Sequence, residues 1–90
     1  MQFIFDPRKD AANIAKHGLS LSDAPLVFNA VNKLTIGSTR AGEDRLMDVA
    51  LVEVAGVVLV YVLREPNKVR AISLRRASRQ ERTLYAQKTH

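Results

Sequence analysis

Four arginines stand within the eight positions of "RRASRQER", close to the end of the 90-residue chain. They are Arg75, Arg76, Arg79 and Arg82. An arginine guanidinium can bind a phosphate through two parallel hydrogen bonds, whereas lysine offers a point charge. Several such groups on one ridge also gain affinity for a phosphodiester backbone by releasing its counterions. The stretch favours an anionic ligand, and a surface salt-bridge network is the alternative interpretation.

The net charge of +5 is concentrated in the last third of the chain. Residues 64–90 hold eight basic and two acidic side chains, which gives +6, while residues 1–63 hold six basic and seven acidic ones, which gives −1. A local field attracts a polyanion more effectively than a diffuse charge. Because no apolar face accompanies the basic residues, nucleic acid fits better than a membrane surface.

Lysine, histidine and glutamate side chains elsewhere in the chain could act as the acid or the base of a reaction. Cleavage of RNA by its own 2′-hydroxyl needs a base, an acid for the leaving oxygen and cations that stabilise the phosphorane. Lys16 and His17 are candidates, since histidine exchanges a proton near neutral pH, but basic residues at a helix end are also simply favourable there. Glu43 and Arg45 are an acid and a cation two residues apart, and both are candidates. The alternative is that Glu43 is a solvated carboxylate in a loop. His90 is expected to be disordered.

Arginines at predicted strand ends are the candidates for binding the scissile phosphate. Arg64, Arg75 and Arg76 are expected to converge on one phosphate, with surface salt bridges as the alternative. Arg70 lies in a predicted strand and either joins them or points away. Tyr85 could stack on a base or protonate a leaving group, or belong to the core. The predicted RNA contacts are Arg45, Arg70, Arg79, Arg82 and Tyr85.

The N-terminal third reads as a short strand, "QFIF", followed by two helices. Asp6 can cap the first helix, Pro7 fits its first position and Gly18 suits a left-handed exit. A second helix of about two turns is predicted over "LSLSDAPLVFNA", because Pro25 is tolerated only near a helix start. The residues expected to pack inward are Ala11, Ile14 and Ala15 in the first helix and Leu21, Ala24, Val27 and Phe28 in the second.

The middle of the chain is rich in β-branched residues and predicts four strands, "NKLTIGST", "RLMDVALVEV", "VVLVYVLR" and "VRAISLR". Because they are contiguous and linked by short segments, they should form an antiparallel meander. The predicted turns are Ala55-Gly56, a tight hairpin, and "EPNK", a longer turn. The segment Ser38 to Arg45 is predicted to be a mobile polar loop.

A last helix is predicted by the capping box of Ser78 and Glu81. Ala77 and Leu84 are expected to pack on the sheet, with Tyr85 beside them. The expected fold is therefore α+β: one domain over residues 1–90, with an antiparallel meander of about four to five strands, two N-terminal helices and one C-terminal helix.

The composition bears on the cellular compartment and on the kinds of site that the protein can contain. The longest uncharged apolar run, Val54 to Leu63, has ten residues and is too short to span a bilayer. The N-terminus lacks the apolar stretch of a secretory signal. The absence of cysteine excludes a disulfide and a cysteine-based zinc site. We expect a cytoplasmic protein without a membrane contact.

Four segments, in the order "FDPRKDAANIAKHG", "LSLSDAPLVF", "GEDR" and "RAISLRRASRQERTLY", resemble the BrnT toxin family of bacterial type II toxin–antitoxin systems. The resemblance implies a RelE-like fold and an endoribonuclease that cleaves RNA without a metal or other cofactor and so inhibits translation and growth. It also implies neutralisation by a BrnA-type antitoxin that binds operator DNA, so that the toxin meets DNA only indirectly. It points to "GEDR" as part of the active region. Within this segment we expect Glu43 to be the general base, with a solvated loop carboxylate as the alternative.

The alternative function is a non-catalytic, regulatory nucleic-acid-binding module that uses the same arginines. A weaker third possibility is a basic adaptor for an acidic protein. A plain binder of single strands usually exposes aromatic side chains, whereas most of the three Phe and two Tyr here occupy predicted core positions. The enzyme is therefore favoured, and it would spare DNA, which lacks the 2′-hydroxyl.

Overall fold

The computed structural model describes residues 1–89, and His90 lies outside the described residues. The described part contains five strands in one sheet, in the spatial order β1-β5-β4-β3-β2. The strands are β1 Gln2–Ile4, β2 Leu34–Arg40, β3 Glu43–Val52, β4 Ala55–Arg64 and β5 Lys68–Arg76. Strands β2 to β5 form the expected antiparallel meander, whereas β1 lies parallel to β5, so the sheet is mixed.

Three helices and a 3₁₀ turn complete the fold: α1 Pro7–His17, the turn Leu21–Asp23, α2 Ala24–Phe28 and α3 Arg79–Thr89. The predicted ends of α1 are confirmed, because Asp6 accepts a bond from the Arg8 amide at 2.8 Å and Gly18 has φ 72°. The capping box of α3 is confirmed too. The Ser78 amide donates to Glu81 at 2.8 Å and the Glu81 amide donates to the Ser78 hydroxyl at 3.2 Å. None of these helices is long and apolar enough to cross a membrane.

Helices cover the two faces of the sheet unequally. The main core lies under the segment from the 3₁₀ turn to α2, where Leu21, Ala24 and Val27 are fully or almost fully buried as predicted. On the other face a smaller core joins Val49 and Val58 to Ala77, and Tyr85 of α3 packs against it. The remainder of that second face stays open next to α3.

The predicted apolar stripe of α1 is wrong. Ala11 and Ala15 are exposed and Ile14 is 46% exposed, while Asn13 is the buried residue of this helix. The Asn13 amide donates to the carbonyl of Leu74 at 2.9 Å, and its oxygen accepts from the Leu74 amide at 3.1 Å.

The pairing of β1 explains why a polar side chain is buried here. Strand β1 pairs with β5 only at residues 68–70, so the backbone of Leu74 has no neighbouring strand on that side. Because buried backbone groups need hydrogen-bond partners, Asn13 takes the place of a strand. It also donates to the Leu19 carbonyl at 2.7 Å and so fixes the chain that leaves α1.

The predicted mobile loop from Ser38 to Arg45 is also wrong. Strand β2 runs to Arg40 and β3 begins at Glu43, joined by Ala41 with φ 53° and Gly42 with φ 76°. Positive φ at both central residues defines the tight turn whose twist suits an antiparallel hairpin. The polar composition suggested a loop, but the segment forms a regular hairpin. Strand geometry fixes the direction of each of its side chains.

The predicted Ala55-Gly56 turn is displaced by two residues. The chain reverses at Glu53 and Val54, with φ 59° at Glu53, and Gly56 lies inside β4. A Cβ at Gly56 would stand 3.3 Å from the Arg82 side chain, so the glycine serves close packing of α3 on the sheet. Leu84, predicted to pack on the sheet, is 39% exposed instead.

Candidate functional site

The open part of the second sheet face carries most of the polar residues that the sequence singled out. Strand register places Arg40 opposite Glu43 and Ser38 opposite Arg45, so these side chains share one face. Farther along the same face, Met47 of β3 stands opposite Val60 of β4, and Val60 stands opposite Ser73 of β5. Helix α3 covers the face only beyond this row.

A cleft of about 350 Å³ lies over this row. Its polar lining comprises Lys16, His17, Ser38, Arg40, Arg45, Ser73 and Arg75, and its apolar lining comprises Met47, Val60 and Ile72. The structure thus brings together Lys16, His17, Arg45 and Arg75, which come from three separate segments of the sequence. Three further residues of the lining, Arg40, Ser38 and Ser73, were not predicted from the sequence. The alternation of residues along β2 would have placed Ser38 and Arg40 on this face had the hairpin been recognised, whereas Ser73 lies in the predicted strand β5.

The anchor at Asn13 positions the proton-transfer candidates. Lys16 and His17 follow Asn13 by one helical turn, and side chains three and four residues apart share one side of a helix. Because Asn13 is bonded to the backbone of Leu74, the end of α1 is held beside the neighbouring residues Ile72 and Ser73. His17 is partly buried at this edge of the cleft.

Arg75 lines the cleft while paired with Glu81 of α3. Its Nη1 and Nη2 donate to the two carboxylate oxygens at 2.7 and 2.9 Å, and Nη1 also donates to the Arg76 carbonyl at 3.3 Å. A guanidinium has five N–H donors, so Nε–H and one Nη2–H remain for a ligand. The hydrogen bonds from Arg75 lower the pKa of Glu81 to about 2, against the opposing effect of burial, and the amide of Ser78 contributes.

The depressed pKa of Glu81 predicts a loss of stability in acid. A group whose pKa is lowered by folding stabilises the protein above its ordinary pKa of 4.5, and this contribution disappears as the pH falls towards about 2. Allowing for solvent screening, we expect about 1–2 kcal/mol. Urea unfolding of the wild type and of Glu81→Gln between these pH values measures it. Their stabilities should converge as the pH falls, and a constant difference would contradict the assignment.

A second group of charges surrounds Glu43 at the end of the open face away from α3. Arg45 Nε donates to Glu43 Oε1 at 3.1 Å, Arg64 Nη2 donates to Oε2 at 3.0 Å, and Arg70 Nη2 lies 3.7 Å from Oε2. We call these four residues the Glu43 cluster. Arg45 belongs both to this cluster and to the lining of the cleft.

The expected convergence of Arg64, Arg75 and Arg76 is wrong. Consecutive antiparallel strands end at opposite ends of a sheet, and Arg64 pairs with Lys68 whereas Arg75 pairs with Val58. Val58 and Arg64 are six positions apart in β4. At roughly 3.3 Å per residue, Arg75 and Arg64 are therefore about 20 Å apart along the strands. Arg76 is exposed and follows Arg75 directly in β5, so its side chain points to the opposite face.

The three other predicted contacts on α3 lie outside the cleft. Arg79 is exposed at the start of the helix. The aliphatic part of Arg82 packs on Gly56, and its Nη1 donates to the Ala77 carbonyl at 3.1 Å. Tyr85 packs against the smaller core. Arg82 and Tyr85 therefore have structural contacts.

A buried polar network fixes the start of β2 and was not predicted. Asp48 is fully buried and accepts bonds from Lys33 and Thr35, each at 2.7 Å, and from Tyr61 at 3.0 Å. Burial and the neighbouring Asp48 carboxylate raise the pKa of Tyr61, in that order of importance. Lys33 also lies 4.1 Å from the centre of the Phe28 ring. Because these bonds satisfy Asp48 within the main core, the network has a structural role.

The chain resembles known proteins in both sequence and fold. A family model described as the ribonuclease toxin BrnT of type II toxin–antitoxin systems matches residues 5–81. A crystal structure of the ribonuclease toxin BrnT of Brucella abortus matches with a TM-score of 0.71 and 28% identity, and the match covers 88% of this chain and 99% of that one. No curated protein gave a match.

The matched segment runs from the residue before the α1 cap to the glutamate of the capping box, and it includes the strands that form the cleft. The sequence match and the structural match agree in both fold and family. The chain therefore belongs to the BrnT family of ribonuclease toxins of type II toxin–antitoxin systems.

Proposed function

We propose that this chain is an endoribonuclease that cleaves RNA without a metal ion and binds the scissile phosphate in the cleft on the open sheet face. The observation that carries the proposal is that Lys16, Arg40, Arg45 and Arg75 line one cleft of about 350 Å³ together with His17. Cationic side chains attract the phosphate and can supply the positive charge that a metal ion supplies in other nucleases.

In the proposed reaction the 2′-hydroxyl oxygen bonds to phosphorus while the bond from phosphorus to the 5′-oxygen breaks. The base takes the hydroxyl proton and the acid protonates the 5′-oxygen, which leaves a 2′,3′-cyclic phosphate and a 5′-hydroxyl. His17 transfers a proton because histidine can act as base or acid near neutral pH. Arg45 and Arg75 stabilise the charge that develops on the phosphorane oxygens, and Lys16 adds positive charge beside His17.

The contacts of Glu43 support a different role from that of the general base expected from the sequence. Both of its carboxylate oxygens accept bonds from arginines, Oε1 from Arg45 and Oε2 from Arg64. The carboxylate thus bridges two guanidinium groups and holds them in place. We therefore propose that Glu43 orients Arg45 towards the cleft.

We propose that the cellular effect is inhibition of translation and growth through RNA cleavage in the cytoplasm. The type II family implies an antitoxin as partner, and we propose a BrnA-type, DNA-binding protein that neutralises the toxin. An antitoxin that covers the open sheet face would block access of RNA to the cleft. The toxin itself then meets DNA only through this partner.

The proposal predicts cleavage of RNA in excess EDTA. Purified, antitoxin-free protein should cut single-stranded RNA under these conditions, leave DNA of the same sequence intact and produce 2′,3′-cyclic phosphate ends. Gel electrophoresis with end analysis by mass spectrometry measures this result. Loss of cleavage in EDTA that Mg²⁺ restores would refute metal independence. RNA that is bound but stays intact would instead support the non-catalytic binding module.

A further inference from the structure

The Glu43 cluster carries more positive charge than its internal contacts neutralise. One carboxylate stands among three guanidinium groups, which leaves an excess of two positive charges. Arg40, directly opposite Glu43 in the register, adds another. Like charges held this close repel one another and oppose folding, so a network with only a structural role would be better served by balanced charge. The excess points to an anionic ligand.

The cluster is also accessible. The side chains of Arg64 and Arg70 are 49% and 34% exposed, while Glu43 between them is 28% exposed. Glu43 holds the guanidinium groups of three strands in one place before any ligand arrives. Because the side chains are ordered in advance, binding costs less conformational entropy.

The position of the cluster relative to the cleft limits the kind of ligand. Arg45 joins the two, and the apolar row of Met47 and Val60 lies in the cleft between Arg75 and the cluster. Arg64 and Arg75 are about 20 Å apart along the strands, at roughly 3.3 Å per residue. That distance is longer than a dinucleotide can span, but a longer strand of RNA can follow the face from one group to the other.

We infer that Arg64 and Arg70 of the Glu43 cluster form a second phosphate-binding site, which takes the backbone of a single-stranded RNA several nucleotides away from the scissile phosphate. The inference rests on the proposed function, which supplies RNA as the substrate. An unpaired strand fits because its bases can turn towards the apolar row, whereas a duplex keeps its bases stacked and paired. Glu43 is a positioning residue in this site, and Arg64 and Arg70 contact the RNA.

The test measures RNA binding independently of cleavage. Fluorescence anisotropy is recorded with 2′-O-methyl RNA, which lacks the attacking hydroxyl, at lengths from about two to about eight nucleotides. The longer of these lengths fall within the site sizes of single-strand binders. Wild-type affinity should rise steeply with length. Arg64→Gln/Arg70→Gln should lower the affinity for the longest RNA by about tenfold to hundredfold. The slope of log affinity against log salt should decrease by about 0.7 for each phosphate that the variant no longer neutralises.

A matched control variant distinguishes a specific phosphate-binding site from non-specific electrostatic attraction of RNA. Arg8→Gln/Lys88→Gln removes the same charge from α1 and α3, where Arg8 is 94% exposed and Lys88 donates to the Lys33 carbonyl. This control should keep the dependence on length. Equal weakening by both double variants would overturn the inference. So would unchanged RNA binding accompanied by weakened binding of the antitoxin, because the cluster would then belong to the protein interface.

Glu43→Gln tests the positioning role of Glu43, because its effect on the net charge and its effect on the order of the arginines change RNA affinity in opposite directions. The substitution raises the net charge by one, so general attraction alone would tighten binding of the longest RNA. Loss of the ordered arginines should weaken it instead, and tighter binding would refute the role of Glu43.

Cleavage of a long RNA by the same wild-type preparation separates the proposed function from the proposed second site. Length-dependent binding without cleavage refutes the proposed function alone, and cleavage without length dependence refutes the second site alone.

Discussion

His17→Ala should lower kcat for RNA cleavage by about 10²–10⁴-fold, the usual contribution of a positioned acid or base. His17 stands at the cleft edge, next to Lys16 and close to Ser73, and is the histidine among residues 1–89. Its removal takes away the group best suited to exchange a proton with the substrate near neutral pH. Single-turnover cleavage of a defined RNA measures the effect free of product release.

The shape of the pH profile separates chemistry from positioning. His17→Gln keeps a polar side chain but cannot transfer a proton, so it should lose as much activity as His17→Ala. The pH dependence that His17 contributes to kcat should be lost in both variants. RNA binding, measured with the 2′-O-methyl substrate, should change much less than kcat. A variant that retains wild-type kcat and an unchanged pH profile would remove His17 from the mechanism.

Arg75→Ala should lower kcat by about 10²–10³-fold, the typical effect of removing one donor that stabilises charge in a transition state. Arg76→Ala is the natural comparison, because it removes the same charge from the next residue of β5, whose side chain points to the opposite face. Arg76→Ala should retain most of the activity. Similar losses in the two variants would show that their charge, rather than the position of Arg75 in the cleft, matters.

The ion pair with Glu81 calls for one more control, because Arg75→Ala also removes the bonds at 2.7 and 2.9 Å. Glu81→Gln weakens the same pair and leaves the cation in the cleft. If Arg75→Ala acts only through stability, Glu81→Gln should lose activity to the same degree. We expect it to stay active at neutral pH, with thermal unfolding of both variants confirming that they are folded.

Local signals in the sequence predicted what depends on neighbouring residues. The cap at Asp6, the exit at Gly18 and the capping box of Ser78 and Glu81 are all confirmed, because each involves residues a few positions apart. The same is true of the turn within "EPNK", where the chain reverses at residues 65–67. The strong apolar runs likewise identified the central strands.

The errors arose where the outcome depends on partners far along the chain. The apolar stripe of α1 was wrong because the open edge of β5 at Leu74 selects Asn13, a partner 61 residues away. Buried Asp48 has the same explanation, since Thr35 and Tyr61 reach it from the two neighbouring strands. Nothing in the residues around Asn13 or Asp48 indicates that these polar side chains are buried.

The sequence alone determined the charge asymmetry, the kinds of group available for phosphate chemistry and most of the elements that carry them. The tertiary structure decided which of those groups meet. Side chains alternate between the faces of a strand, and antiparallel neighbours end at opposite sides of the sheet, so register separates Arg64 from Arg75 and Arg75 from Arg76. The same register brings Arg45 and Arg75 to one cleft beside His17.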